Sequence, residues 1–373
     1  MIKKLLKLIA INIVVLIGLL IALNFLAILI YQGSIITKPL NKIRSDIRGG
    51  LPNYKNIDWA HKHFEEFKEL PTDYRSYIGW RRLPYKGETI SIDEQGIRNT
   101  PQSALATEKS PLVVFLGGST MWGTGANDAN TIPALFAKIA QGRYRTMNLG
   151  ESGYNAFQGY LFLKLQIING LAPDIVVSYD GVNDGCSLKS GLRPFGHQRE
   201  DQIRNAMKGK DRKNEEILSF NHFFLSPLKS FISEFKKTTF KVEYDLSQER
   251  IEQTAKALLE SWLSTKDLAE KHGADFVAVL QPNAAIGKPY LEYLKLDENE
   301  IKLYKLFYPA VLKLLQTPKY QKLSNNVIVL TDAFDRKEYI YIDSSHVSPN
   351  GNKIIATKIY NHINNSINNK KKE

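Results

Sequence analysis

The pattern of apolar and polar positions divides this chain into parts of different character. Residues Leu8 to Tyr31 form an uncharged run in which Asn12 and Asn24 are the only strongly polar side chains. From Leu112 onward, short apolar runs alternate with amphipathic stretches. Leu112–Leu116, Thr146–Leu149, Ile175–Tyr179, Phe276–Leu280 and Val327–Leu330 predict strands. Ile132–Ala140, Ala156–Asn169, Arg250–His272 and Glu300–Leu315 predict helices, and a closing helix is expected from Ser348-Pro349, with the serine as N-cap and proline in the first turn. Strand then helix, repeated, reads as an α/β fold with a parallel sheet covered on both faces. No internal repeat is evident.

The first run predicts one transmembrane helix. Its 24 residues would extend about 36 Å as a helix, against a bilayer core of about 30 Å. Lys3, Lys4 and Lys7 precede it with no acid among them, which favours an N-terminus inside and the remaining chain translocated. The following flank is also basic, at Lys38, Lys42, Arg44 and Arg48. A cleaved signal peptide would have a shorter apolar core and small residues at its end. Here Tyr31-Gln32 stands at that place, and no lipidation cysteine follows.

Between this segment and Leu112 lies a linker, then an aromatic and charged stretch with Trp59, His61, His63, Phe64 and Phe67. His61 and His63 read as solvated helix residues, since a metal site would need a third ligand nearby. Alternation around Thr89–Ile92 suggests a short hairpin. Residues 187–243 interrupt the strand–helix rhythm with Lys, Arg and Gly, then with Phe220, Phe223, Phe224, Phe231 and Phe235. They read as a solvated insertion with a buried helix, or as a lid beside a site that touches substrate or membrane.

Composition narrows the class. Of 373 residues, 43% are hydrophobic and 24% charged, which excludes a wholly disordered chain. The net charge of +12 is spread along the chain, with clusters at Lys208–Lys213, Lys236–Lys237 and a basic tail at Lys370–Lys372. No zinc-finger, basic-region or RNA-binding signature accompanies it, so no nucleic-acid partner is expected. Cys186 is the single cysteine, which excludes an internal disulfide and a multi-cysteine metal centre.

Four segments carry candidate chemistry. The first predicted strand runs into Gly117-Gly118-Ser119-Thr120, placing a serine just past the carboxyl end of a buried strand, where open α/β sheets bind ligands. No Gly-Lys-Ser/Thr follows, which disfavours a phosphate loop. The second strand ends in Asn148-Leu149-Gly150-Glu151-Ser152-Gly153, the third in Gly181-Val182-Asn183-Asp184, and Asp343-Ser344-Ser345-His346 precedes the last helix. Each alone reads as turn and capping residues. Together they supply a serine, backbone donors, an amide, a carboxylate and an imidazole, which is the inventory of acyl transfer: a nucleophile needs a base, the base an orienting carboxylate, and the oxyanion preorganised donors.

In that order the four segments resemble the blocks of the SGNH hydrolase (GDSL esterase/lipase) superfamily over about residues 112–364. The family serine falls at Ser119, preceded by Gly118 where many members have Asp. The family glycine falls at Gly153, with Gly150 the alternative. Asn183 matches the asparagine, and Asp343 with His346 the Asp-x-x-His block. The resemblance implies a three-layer α/β/α sandwich with a flavodoxin-like parallel sheet. It also implies Ser119, His346 and Asp343 as catalytic residues, an oxyanion hole from the Ser119 and Gly153 N–H groups and the Asn183 amide, and neither metal nor organic cofactor. Asp184 then reads as structural, Cys186 as a buried small residue, and His197, His222, His272 and His362 as surface or packing residues.

The expected organisation is a cytoplasmic tip and anchor at 1–33, a linker and extension at 34–110, a hydrolase-like domain at 111–366 with its insertion at 187–243, and a tail at 367–373. The expected function is that of a single-pass esterase of the cytoplasmic (inner) membrane, its domain on the periplasmic or extracytoplasmic side. Its substrate partner would be an acylated envelope glycan or lipid. An O-acyltransferase with the same residues, and a non-enzymatic glycan-binding or assembly protein retaining the fold, are the alternatives.

Overall fold

The computed structural model describes residues 46–189, 191–207 and 243–370, the last four of these without their side chains, and a few isolated positions between 4 and 22. Most of the expected Leu8–Tyr31 span, most of the insertion including His222 and its five phenylalanines, and the end of the basic tail lie outside the described residues. Among the described residues no helix is long and apolar enough to cross a membrane. The chain divides into two units, residues 46–200 with 243–373, and residues 1–45 with 201–242. The first holds the sheet.

That unit begins with two 3-10 turns, Ile47–Gly50 and Pro52–Tyr54, and helix α1 (Ala60–Glu69). Two antiparallel hairpins follow. β1 (Thr72–Arg75) pairs with β2 (Gly79–Arg82), Tyr74 opposite Trp80, and β3 (Tyr85–Lys86) pairs with β4 (Ser91–Ile92). The second is the hairpin expected from alternation; the first was not read from the sequence.

The strand–helix alternation then unfolds as β5 (Leu112–Gly117), α2 (Ser119–Trp122), α3 (Ile132–Ala140), β6 (Arg145–Asn148), α4 (Ala156–Ile168), β7 (Ile175–Asp180), α5 (Val182–Gly185), α6 (Gln248–Lys271), β8 (Asp275–Leu280), α7 (Glu298–Leu315), α8 (Gln321–Ser324), β9 (Val327–Val329) and α9 (Pro349–Lys370). Helix caps agree with local chemistry. Thr131 caps α3, which has proline in its first turn, and Asn155 with Gln158 forms a capping box on α4. Ser348 differs from expectation: α9 starts at Pro349, but the buried Ser348 hydroxyl has no hydrogen-bond partner, so its side chain does not cap the helix.

The five strands β5 to β9 form one parallel sheet in the order β6-β5-β7-β8-β9. Counted along the chain this is 2-1-3-4-5, the doubly wound, flavodoxin-like order, whose switch point lies between β5 and β7. Successive strand side chains feed opposite cores. Val114, Leu116, Val176, Ala278 and Leu280 pack in one core with Phe162, Trp262 and Phe307 of α4, α6 and α7. Val113, Phe115, Val177, Val277 and Val279 pack in the other with Phe136 of α3 and Ile355 and Ile359 of α9. The result is a three-layer α/β/α sandwich.

The extension that follows the expected linker contributes buried charge to this unit. Arg98 is 1% exposed and gives hydrogen bonds to the carbonyls of Trp122, Gly123 and Ala126 and to Asp128. Arg81, equally buried, donates to the carbonyls of Leu149, Gly150 and Gly96. Fully buried Glu151 lies 3.4 Å from Arg82 Nε and accepts from the Arg82 backbone N–H.

His61 is exposed as expected, whereas His63 corrects the sequence reading: it is fully buried. The helical period puts Ala60, His63 and Phe64 on one inward face of α1, and His63 Nε2 donates to the carbonyl of Thr124, 61 residues away, at 2.9 Å. Burial pushes its pKa down from 6.5 to about 3, with the Arg98 charge acting in the same direction and the Thr124 bond against it. Below about pH 6.5 the unfolded chain therefore binds a proton that the fold refuses. This contribution to stability is complete above that pH and is lost as pH falls toward 3. Melting followed from about pH 7 to about pH 4 should show a shallower acid dependence in His63→Gln than in the wild type. The limit for one proton is about 1.4 kcal/mol per pH unit. Equal slopes would mean that His63 is protonated in the fold.

Candidate active site

Ser119 opens α2 directly after β5, with Gly118 as its extended N-cap and Gly123, at φ +99°, ending the single turn. From this partly exposed position its Oγ lies 2.6 Å from His346 Nε2, and His346 Nδ1 lies 2.6 Å from Asp343 Oδ2. A tight loop makes this possible. Ile342 N–H donates to His346 O and Tyr341 bridges Val347, so Asp343 and His346 project to the same side. The loop is tied to α2 by Thr120 Oγ1, which donates to Ser345 O at 3.2 Å.

Packing around Asp343 works against its charge. The facing imidazole, its hydrogen bond, and the backbone N–H groups of His346 (2.8 Å) and Ser345 (2.9 Å) outweigh that and hold the carboxyl well below the usual carboxylate range. With an ionised carboxylate on Nδ1–H, the tautomer leaves Nε2 free to accept from Ser119.

Asn183 reaches the same place from α5. Its Nδ2 donates to Tyr154 O at 2.7 Å, and a Cβ on Gly118 would stand only 2.0 Å from that nitrogen. This contact gives a physical reason for glycine, where the family resemblance often has aspartate. Gly153 has φ +83°, a conformation costly for other residues. Among the described residues neither the Ser119 nor the Gly153 N–H has a protein acceptor, so both can donate to a ligand. The alternative, Gly150, donates its N–H to Asn148 Oδ1 at 3.0 Å. The structure thus brings together all five expected residues, Ser119, Gly153, Asn183, Asp343 and His346, at the carboxyl edge of the sheet by the β5/β7 switch point.

Asp184 receives the N–H groups of Ala156 and Gly181, linking the loops after β6 and β7. Burial, with Asp180 nearby, raises its pKa, and burial likewise raises that of Asp180. Cys186 is partly buried, its Sγ 3.5 Å from Tyr304 Oη. His197 is half-buried and packs edge-on against Trp80, and His272 ends α6. Among the described residues no cluster of three His, Cys, Asp or Glu could hold a metal.

Three neighbours were not legible in the sequence. Trp80 on β2 would stand 3.2 Å from a Cβ on Gly153 and donates its indole N–H to Ser152 O. Gln198 contacts Asn183. Glu300 on α7 accepts from Ser344 Oγ at 2.7 Å, next to Asp343, and burial together with repulsion from Asp343 and Asp297 raises its pKa despite that bond. None lies within a recognisable motif, and their partners are 15 to 72 residues away in the chain.

No family model matches this chain, and no curated protein matches it in sequence. Among solved structures it is similar to a putative acylhydrolase from Bacteroides fragilis, at 14% identity over 72% of this chain and 92% of that one, TM-score 0.38. It is similar to a carbohydrate acetylesterase from Sinorhizobium meliloti at 13% identity, covering 68% and 98%, TM-score 0.40. It is also similar to an acetyl xylan esterase at 15% identity, covering 67% and 98%, TM-score 0.38. Such distant likenesses carry no weight in assigning chemistry, which rests on the hydrogen-bonded chain from Ser119 to Asp343.

Gly118→Ala tests the close approach. The new methyl must displace the Asn183 amide; on the esterase reading proposed below, turnover of a small acetyl ester should then fall about 10²–10³-fold, the usual cost of one oxyanion donor. The crowded turn should also lower the melting temperature moderately, by the roughly 1–3 kcal/mol usual for a methyl forced into a filled site, without unfolding the protein. Wild-type turnover in this variant would show that the amide is not needed where it stands.

Proposed function

We propose that this chain is a membrane-anchored serine esterase of the SGNH type, acting on O-acyl, in particular O-acetyl, groups of a cell-envelope glycan or lipid. The observation that carries the reading is the continuous chain Ser119–His346–Asp343, each link 2.6 Å. Ser119 Oγ attacks the ester carbonyl while His346 Nε2 takes its proton. The carbonyl oxygen, now an oxyanion, is held by the Ser119 and Gly153 N–H groups and the Asn183 amide. His346 returns the proton to the departing alcohol, leaving an acyl-serine. Water, deprotonated by His346, then attacks the acyl carbon and releases the acid and free Ser119. Asp343 keeps the imidazole oriented and stabilises its charged form.

The partly exposed triad supports a substrate that approaches from solvent. A binding module would have no use for an imidazole placed between a serine and a carboxylate.

In the full-length chain, a fluorophosphonate probe should label Ser119, and Ser119→Ala should abolish the labelling. His346→Ala should remove nearly all hydrolysis of short-chain acyl esters at unchanged melting temperature, because the serine loses its base. Equal labelling of Ser119→Ala, or full activity without His346, would overturn the assignment.

The uncharged Leu8–Tyr31 run behind three lysines supports the envelope location in this reading. A reporter active only outside the cytoplasm, fused after Glu373, should be active, and the protein should resist carbonate extraction. A signal from a cytoplasm-only reporter would reverse the topology and remove the envelope substrate.

A further inference from the structure

We infer that Gln198 is a positioning residue for the oxyanion donor Asn183, so that residues 193–200, at the start of the insertion, complete the active site. The inference rests on the esterase reading given above. A side-chain amide has an oxygen that only accepts and a nitrogen that only donates, and turning it over exchanges the two. Asn183 meets a partner at each end: Nδ2 donates to Tyr154 O at 2.7 Å, and Oδ1 accepts from Gln198 Nε2 at 2.9 Å. Turning the amide over would set oxygen against oxygen at Tyr154 and nitrogen against nitrogen at Gln198. A turned-over Asn183 could regain the second bond only if Gln198 turned over too, whereas the Tyr154 carbonyl can only accept; Tyr154 O therefore selects the orientation and Gln198 holds the amide in it. One hydrogen of Nδ2 is committed to Tyr154, and the other remains for the substrate oxyanion beside Gly118 and Ser119.

Gln198 lies between both loops that supply donors. Its Oε1 would be 3.6 Å from a Cβ on Gly153, while its Nε2 holds Asn183. The segment carrying it is fastened on both sides. Asn155 Nδ2 donates to Gly196 O at 3.0 Å, and the His197 ring packs at 5.2 Å on Trp80. The Arg199 guanidinium lies 4.5 Å over Trp80 and donates to Thr72 Oγ1 at 2.9 Å. Gln198 itself is exposed, so its removal opens no core, and an effect on turnover is separable from an effect on folding.

The test is a double-mutant cycle in the full-length chain, reading kcat and KM for p-nitrophenyl acetate in the wild type, Gln198→Ala, Asn183→Ala and the double variant. Gln198→Ala should lower kcat about tenfold, a fraction of the loss expected for removing the donor outright, with KM little changed. In the Asn183→Ala background the same substitution should have no further effect, because its route to the reaction is gone. Gln198→Glu should cost more than Gln198→Ala, since a carboxylate facing Oδ1 favours the turned-over amide. Additive losses, a loss confined to KM, or wild-type kcat in Gln198→Ala would overturn the inference while leaving a Ser119-dependent esterase intact. A wild type that turns over no ester and whose Ser119 takes no probe would overturn the esterase reading, and this inference with it.

Discussion

The arrangement of the site depends on two buried arginines, Arg81 and Arg98, that bind the backbone of its loops, and on a third, Arg82, that holds the side chains of Glu151 and Ser152. The loops after β5 and β6 turn sharply and leave carbonyl groups without partners in any helix or strand. Buried and unpaired, each would cost roughly 1–3 kcal/mol. Arg98 takes up the carbonyls of Trp122, Gly123 and Ala126, directly behind the turn that carries Ser119, and Arg81 those of Leu149 and Gly150, before Gly153. Only a guanidinium offers five donors in one plane, so lysine could not replace either. Arg98 is paired with Asp128, and Arg81 and Arg82 share Glu151. Removing one partner of such a buried pair typically costs about 3–5 kcal/mol. The segment before the sheet is thus a structural part of the edge that carries Ser119 and Gly153.

Rigidity of this kind has a chemical use. Stabilising an oxyanion is effective when the donors already point at the developing charge and need no rearrangement. Asn183 is held through Tyr154, Gly118 is bare because the amide fills its side-chain space, and the Gly153 loop is held by Arg81, Arg82 and Glu151. Asp184 joins the loops after β6 and β7, so that donors from two strands keep a common frame.

The carboxyl groups at this edge show how neighbours sort chemistry. Asp180, Asp184 and Glu300 are all raised by burial, and acids beside Asp184 and Glu300 add to the effect. Asp343 also loses solvent, yet it is lowered, because it faces an imidazole and accepts two backbone N–H groups. Asp343 is therefore held in its charged form where it faces the His346 imidazole.

Local periodicity determined much of this protein. Strands β5, β7 and β8 and helices α3, α4, α6 and α7 begin and end within two residues of the apolar and amphipathic stretches, because strands buried on both faces are continuous apolar runs and the helices repeat their apolar positions every three to four residues. The chain order of Ser119, Gly153, Asn183, Asp343 and His346 was legible for a related reason: each follows a strand or precedes a helix whose own pattern is clear. The strand order was decided only by tertiary structure, since periodicity does not say which strand lies beside which. So was the inward turn of His63, whose partner Thr124 is 61 residues away. The first hairpin, the arginines of the extension, Glu300 beside the Asp343 loop and Gln198 on Asn183 are of the same kind. They gain their meaning from contacts between distant segments, and a polar residue carries no mark in the sequence of the backbone or amide it will meet.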